Sequence, residues 1–190
     1  AQRTYGIGRT AVVDFDVHHG NGTQEIFWGD KTVMYCSTHQ MPLFPGTGAT
    51  QERGEDDNIV NAPLRDGDGG AKFRAAFDNL ILPQLQKFSP ELIIISAGFD
   101  AHRRDPLASL ELDAADFGWV TRKLLDLADQ TAGGRVVTGE RDRLLVGVVA
   151  VDLDVRVRLG EADRGPAGAA AEVGDPEMGV GVGQAGGDVG

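Results

Sequence analysis

A chain of 190 residues is long enough for one domain with a sizeable core and short for two. Its hydrophobic fraction of 41% and charged fraction of 25% are those of a globular protein. A net charge of −11 repels phosphates, which excludes general binding to nucleic acid or to anionic membranes and leaves cationic substrates open. The single cysteine, Cys36, excludes an internal disulfide and a Cys-based zinc cluster, so any zinc must be held by His, Asp or Glu.

The chain opens on Ala1 rather than Met, shortly before a strand, and reads as the central fragment of a domain. No apolar run approaches the roughly 20 residues of a bilayer span. A charged segment followed by an apolar one does not open the chain, so a cytoplasmic location is expected. Residues 10–15, built around Ala11, Val12 and Val13, read as a strand buried on both faces of a parallel sheet. Gly20-Asn21-Gly22 breaks the chain, and Thr23 is the expected cap of a short helix ending near Trp28. Residues 32–37 form a second strand, and 39–58 a long loop containing FPGTG (44–48) and an acidic cluster (52–57).

A helix is expected over residues 70–87, with Phe73, Phe77, Leu80, Ile81 and Leu85 at helical spacing and Pro83 kinking or shortening it. Residues 92–98 are the clearest buried strand; a helix follows over 113–131, ended by Gly133-Gly134, and a strand over 135–137. Strands alternating with helices imply α/β architecture with a parallel sheet. After Val137 the composition changes: residues 138–190 contain no aromatic, Lys, His, Ser, Asn or Ile. Residues 151–159 alternate apolar and charged side chains, as an exposed strand would, and the Gly-rich stretch from 174 has little core-forming capacity. Two readings stay open for this tail: a non-native continuation, such as a reading-frame error, and a natural C-terminal extension.

The chemistry concentrates at Asp14-Phe15-Asp16-Val17-His18, at the carboxyl end of the first strand. Alternate residues of an extended chain point the same way, so Asp14, Asp16 and His18 can face one site. Asp100 emerges after another buried strand, at the end where open α/β sheets hold ligands. Carboxylates and imidazole suit zinc or another divalent transition ion. The plainer reading of the same residues is that Asp14 and Asp16 cap the following turn and His18 is a surface residue. His19 points opposite to His18 and reads as structural, and Cys36 as a buried inert thiol. His39 and His102 read as solvated or loop-stabilising, and Arg103-Arg104 as a solvated pair or a contact to an acidic partner.

Three blocks, DFDVHHGNGTQ (14–24), FPGTG (44–48) and SAGFDAHRRDPL (96–107), resemble successive blocks of the histone deacetylase family, which includes bacterial acetylpolyamine and acetoin-utilisation relatives. They occur in family order over residues 1–137, which would be the central part of a deacetylase-like domain, with 138–190 an atypical tail. The resemblance implies an arginase/deacetylase-like, three-layer α/β/α fold with a mainly parallel sheet, present as a partial domain. It also implies a zinc-dependent deacetylase, an amidohydrolase acting on acetylated lysine peptides or acetylpolyamines, with no direct nucleic-acid or membrane partner.

By the same resemblance Asp16, His18 and Asp100 hold Zn²⁺. Asp14 orients a catalytic imidazole, and Asn21, where the family often has Asp, orients a second. Phe44 is one wall of the tunnel for the acyl-lysine stem and Leu107 lies near its rim; on the residues alone both could equally be core. Ser37 and Thr38 join Asp14, Asp16 and His18 around a structural K⁺, and Phe27, Asp30 and Val33 supply carbonyls to a second K⁺.

The family draws its general base from a His-His pair upstream of these blocks and its oxyanion donor from a Tyr in a Gly-Gly-Tyr loop after the next strand. Here His18-His19 is the only such pair, and Thr138-Gly139-Glu140-Arg141 comes after the last strand. The polypeptide as given is therefore expected to bind zinc and to be essentially inactive. Two rivals remain: a catalytically dead module that binds acyl-lysine or a protein partner, and an arginase-like hydrolase with two manganese ions.

Overall fold

The structure, a computed structural model, describes residues 1–138. The atypical tail from residue 139 onward, with its alternating and Gly-rich stretches, lies outside the described residues. Five strands form one parallel sheet: β1 (Thr10–Asp14), β2 (Val33–Gln40), β3 (Ile59–Leu64), β4 (Leu92–Ser96) and β5 (Val136–Thr138). Their spatial order is β3-β2-β1-β4-β5. The chain thus winds from β1 to one side through β2 and β3, then returns to place β4 on the other side of β1. The order reverses between β1 and β4, and that crevice is where an open parallel sheet can hold a ligand.

The strands alternate their side chains between two faces. Ala11, Val13 and Phe15, with Met34, Cys36, Val60, Ala62, Ile93 and Ile95, point into the larger core. Covering it are α3 (Gly70–Ala76), α4 (Leu82–Phe88) and α5 (Ala114–Thr131), through Phe73, Leu85, Phe117, Val120 and Leu124. The opposite face carries a smaller cluster of Val12, Val33, Tyr35 and Ile59, with Phe27 from the end of α2 (Asn21–Ile26) packed on it. No helix among the described residues is long and apolar enough to cross a membrane.

Several boundaries differ from the sequence reading. The short helix starts at Asn21, and its N-cap, Gly20, lies three residues before the expected cap Thr23; a further short helix, α1 (Gln2–Tyr5), precedes β1. The long helix runs through to Phe88, past Pro83. A π-helical turn at Phe77–Ile81 precedes the proline, which sits in the first turn of α4. The missing N–H and the ring of a proline disrupt the preceding turn, and a wider turn absorbs the disruption without ending the helix. β3 has no counterpart in the sequence reading. It carries Pro63, which cannot donate to a ladder and is tolerated because β3 lies at the edge of the described sheet.

α5 keeps to its expected bounds within a residue. Asp113 and Asp116 form a capping box at its start, and Gly133 and Gly134, both at positive φ, turn the chain away after its end.

Candidate metal centre

β1 stops at Asp14, where the chain leaves the extended conformation and enters a bend held by side chains. The Asp16 backbone N–H donates to Asp14 Oδ1 at 3.1 Å, and the His18 N–H to Asp16 Oδ1 at 2.7 Å. This corrects the expectation that Asp14, Asp16 and His18 face one site by strand alternation. Asp14 is buried, while Asp16 and His18 are half-buried and share a cluster of ligand-type atoms with Asp100.

Asp100 completes the crevice from the segment after β4. Its Oδ1 accepts the Val17 N–H at 3.0 Å, and its Oδ2 lies 3.0 Å from His18 Nδ1. The same imidazole nitrogen lies 3.1 Å from Asp16 Oδ1. One ligand-type atom from each of Asp16, His18 and Asp100 therefore falls within 4.8 Å of the others, and all three side chains are half-buried. A lone ring nitrogen cannot satisfy two carboxylates as a donor, whereas a divalent cation between the three atoms satisfies all of them. The donor set, two carboxylate oxygens and one imidazole nitrogen, suits zinc and leaves coordination positions open. Burial, then the neighbouring Asp100 charge, raises the Asp16 pKa, a repulsion that a cation relieves. Gly98 lets the segments that follow β1 and β4 approach here, since a Cβ on it would overlap the Asp16 carboxylate.

Outside this cluster, Asp14 Oδ2 accepts the Tyr35 hydroxyl at 3.1 Å, and that hydroxyl accepts the Gly20 N–H at 3.1 Å. Burial pushes the Asp14 carboxyl up to about 7 despite the hydrogen bond from Asp16 N–H. Sequence reasoning misses Tyr35 because nothing in its strand marks a tyrosine as bonded to a residue 21 positions earlier. Asn21 opens α2, half-buried.

A second polar cluster ties the FPGTG loop to the sheet. His39, expected to be solvated or loop-stabilising, is 1% exposed and does the latter. Its Nε2 meets the Gly48 carbonyl at 3.0 Å and its Nδ1 the Ser37 hydroxyl at 3.0 Å. Gly48 has φ +94°, and a Cβ there would overlap the imidazoles of both His39 and His19, so only glycine serves. His19 is buried, in keeping with a structural role, and bonds Thr47 and Gln24. Glu52, from the acidic cluster, accepts the Gly48 and Ala49 N–H groups and the Gln24 amide. Burial opposes its charge, but these donors hold the carboxyl below its usual range.

Burial, and then the adjacent His19, lowers the His39 pKa to about 4, so the fold holds the neutral ring. A folded pKa below the unfolded value of about 6.5 makes the neutral ring's contribution complete above that pH and lost as pH falls from 6.5 toward 4. His39 itself is expected to account for a loss on the order of 3 kcal/mol across that window, read as the difference between wild type and a His39 variant because the raised Asp14 carboxyl acts in the opposite direction. His39→Asn is expected to flatten the loss. Urea midpoints measured between pH 7.5 and 4.5 for both proteins check this; parallel curves would remove His39 as the cause.

Among the remaining sequence-predicted residues, Phe44 and Leu107 are each 79% exposed, which excludes the core alternative for both. Ser37 and Thr38 are buried at the end of β2, with Ser37 in register with Asp14. The carbonyls of Phe27, Asp30 and Val33 converge on the Asn58 side chain. Cys36 is buried, and burial pushes its thiol up. His102 accepts the Arg104 N–H in its own loop, and Arg103 pairs with Asp113 at 2.9 Å.

Residues 1–140 match the family model for the histone deacetylase domain. The chain is 41% identical over 140 residues to histone deacetylase 10, chloroplastic, of Oryza sativa, covering 72% of this chain and 32% of that protein. It is 40% identical over 141 residues to the histone deacetylase-like amidohydrolase of Pseudomonas aeruginosa, covering 72% and 37%. The crystal structure of the HDA15 HD domain superposes with a TM-score of 0.69 at 36% identity, covering 82% of this chain and 47% of that one. The chain thus spans about a third of the length of the two curated relatives.

Proposed function

Since the chain belongs to the histone deacetylase family and has its arginase/deacetylase fold, we propose that Asp16, His18 and Asp100 hold zinc for hydrolysis of an N-acetyl amide on a lysine side chain or polyamine. The observation that carries the reading is the convergence of these three ligand atoms within 4.8 Å at the reversal of strand order. The relatives' names support the deacetylase class, and the net charge of −11 suits a cationic amine substrate.

A zinc ion held there would supply Lewis-acid polarisation of the amide carbonyl and of water. The chain's own groups do the rest of what these residues contribute. Asp100 pins the bend through Val17 N–H while offering its other oxygen to the crevice, so one carboxylate both shapes and serves the site. Asp14, a buried carboxyl short of a cationic partner, is placed to orient and charge-stabilise an imidazole, as the resemblance assigns it; Asn21 is assigned to a second. Phe44 and Leu107, both exposed, are free to flank the stem of an acylated amine. A potassium ion in contact with Asp14, Asp16, His18, Ser37 and Thr38 belongs to the same proposal.

Metal analysis of the purified chain by plasma mass spectrometry tests the reading: one zinc per chain is expected. Two manganese ions would favour the arginase-like reading, and no metal would end the proposal. Gly98→Ala is expected to displace the Asp16 carboxylate and weaken zinc by about 10–100-fold, the usual cost of disturbing the groups that orient a ligand. A chelator-competition titration reads this directly, and an unchanged affinity would show that Asp16 is not a ligand.

A further inference from the structure

The turn between α2 and β2 presents three backbone carbonyls to a single point. Asn58 Nδ2 lies 2.7 Å from Phe27 O, 3.0 Å from Val33 O and 3.2 Å from Asp30 O. Each of these carbonyls keeps a second lone pair for this contact; two of them also accept turn hydrogen bonds, Phe27 O from Asp30 N and Asp30 O from Val33 N. A carboxamide nitrogen has two hydrogens for three acceptors. The orientation of the amide is decided by this ring: turned over, its oxygen would face three other oxygens.

The chosen orientation leaves Asn58 Oδ1 buried with no hydrogen-bond partner, in a residue only 2% exposed. Leaving a buried acceptor unpaired is unfavourable, and the three contacts to the ring offset it. Room for the unpaired oxygen comes from Gly54, where a Cβ would overlap it. The main chain at Asn58 is fixed beside the ring, because Asn58 O accepts Tyr35 N–H at 2.9 Å and Ile59 N–H bonds Arg53 O at 3.0 Å.

These are the same three carbonyls that the family resemblance assigns to a second potassium ion. The residues present do not fit that ion, because its position among the oxygens is taken by the amide nitrogen. We propose that in this chain the Asn58 carboxamide takes the place of the second monovalent cation, closing the turn between α2 and β2 with a side chain instead of an ion. The proposal rests on the family reading only for the expectation of a cation here; the zinc cluster is separate from it. It confines any monovalent-cation requirement to the site at the ends of β1 and β2.

Crystals of wild type and Asn58→Gly soaked in a thallium(I) salt, as a potassium probe, test this. Wild type is expected to show no anomalous peak among the carbonyls of Phe27, Asp30 and Val33, and the glycine variant one. In solution, the thermal midpoint of Asn58→Gly should rise with KCl relative to N-methyl-D-glucamine chloride at equal ionic strength, and more steeply than that of wild type. A variant that folds only when KCl is added gives the same answer. A thallium peak in the wild-type ring would overturn the proposal, as would a folded variant with neither peak nor added salt response. If the variant folds in no salt, the wild-type crystal decides alone. Zinc measured on the same samples reports separately on the family reading, since its loss leaves the outcome at the ring unchanged.

Discussion

Asp100→Ala is expected to abolish stoichiometric zinc binding, lowering affinity by well over the 10–100-fold that loss of an orienting partner costs. Two separate effects combine in this one side chain. Removing Oδ2 takes away one of three ligand atoms, leaving an Asp–His pair too few for a tight site. Removing Oδ1 also releases the Val17 N–H, the bond that holds the bend between Asp16 and His18 against the segment after β4. Asp100→Asn separates the two: its amide oxygen can still accept from Val17, while the charge and the anionic ligand are lost. Zinc should therefore be weak in both variants, and the bend, monitored by the amide exchange of Val17, protected only in the Asn variant. Retention of one zinc per chain in Asp100→Ala would overturn the assignment of this ligand set.

The zinc-loaded 190-residue chain is expected to turn over a fluorogenic acetyl-lysine substrate on the order of 10⁴-fold or more below a family enzyme that has the full set of groups. Loss of an oxyanion donor costs about 10²–10³ and loss of a general base about 10²–10⁴, and the two do not simply multiply because they act in one step. Of the tyrosines present, the structure commits the hydroxyl of one to other partners. The chain has two tyrosines: Tyr35 is buried with its hydroxyl committed to Asp14 and Gly20, and Tyr5 is 68% exposed in α1. Nor can the second histidine of the motif serve as the base. His19 is buried, and its two nitrogens are engaged by Thr47 and Gln24. Clear turnover would refute the expectation. Acetyl-lysine peptide binding without turnover would favour the role of a non-catalytic module for these 190 residues.

Both results bear on the buried Asp14. A carboxyl raised to about 7, with a tyrosine hydroxyl as its side-chain partner, is a group set up for a cationic neighbour. Supplying such a neighbour is what the family's upstream His-His pair would do. The same polypeptide extended by that block should regain measurable turnover if the proposed roles are right.

How much of this is legible in the residues varies element by element. β1 and β4 can be read because runs such as Ala11-Val12-Val13 and Ile93-Ile94-Ile95 suit burial on both faces, and α5 because Phe117, Val120 and Leu124 repeat at helical spacing. β3 cannot, because Pro63 argues against a strand and only an edge position excuses it. The ligand types at Asp16, His18 and Asp100 are visible, yet strand alternation puts Asp14 beside them, and the structure buries it outside their cluster. His39, Glu52 and Asn58 leave no usable signal, since each acts on backbone groups, and a carbonyl or N–H group is the same at every residue.

Local sequence alone determined the residue types of the candidate ligands and the placement of the buried strands, because those depend on residue type and short-range order. Only the tertiary structure decided that Asp100 meets His18 across 82 positions, and that an asparagine side chain fills a ring of carbonyls 25 to 31 positions away. The reason is physical. A parallel sheet joins its strands through long crossovers, so the groups that share its carboxyl end come from distant parts of the chain, and their meeting is settled by strand order and register.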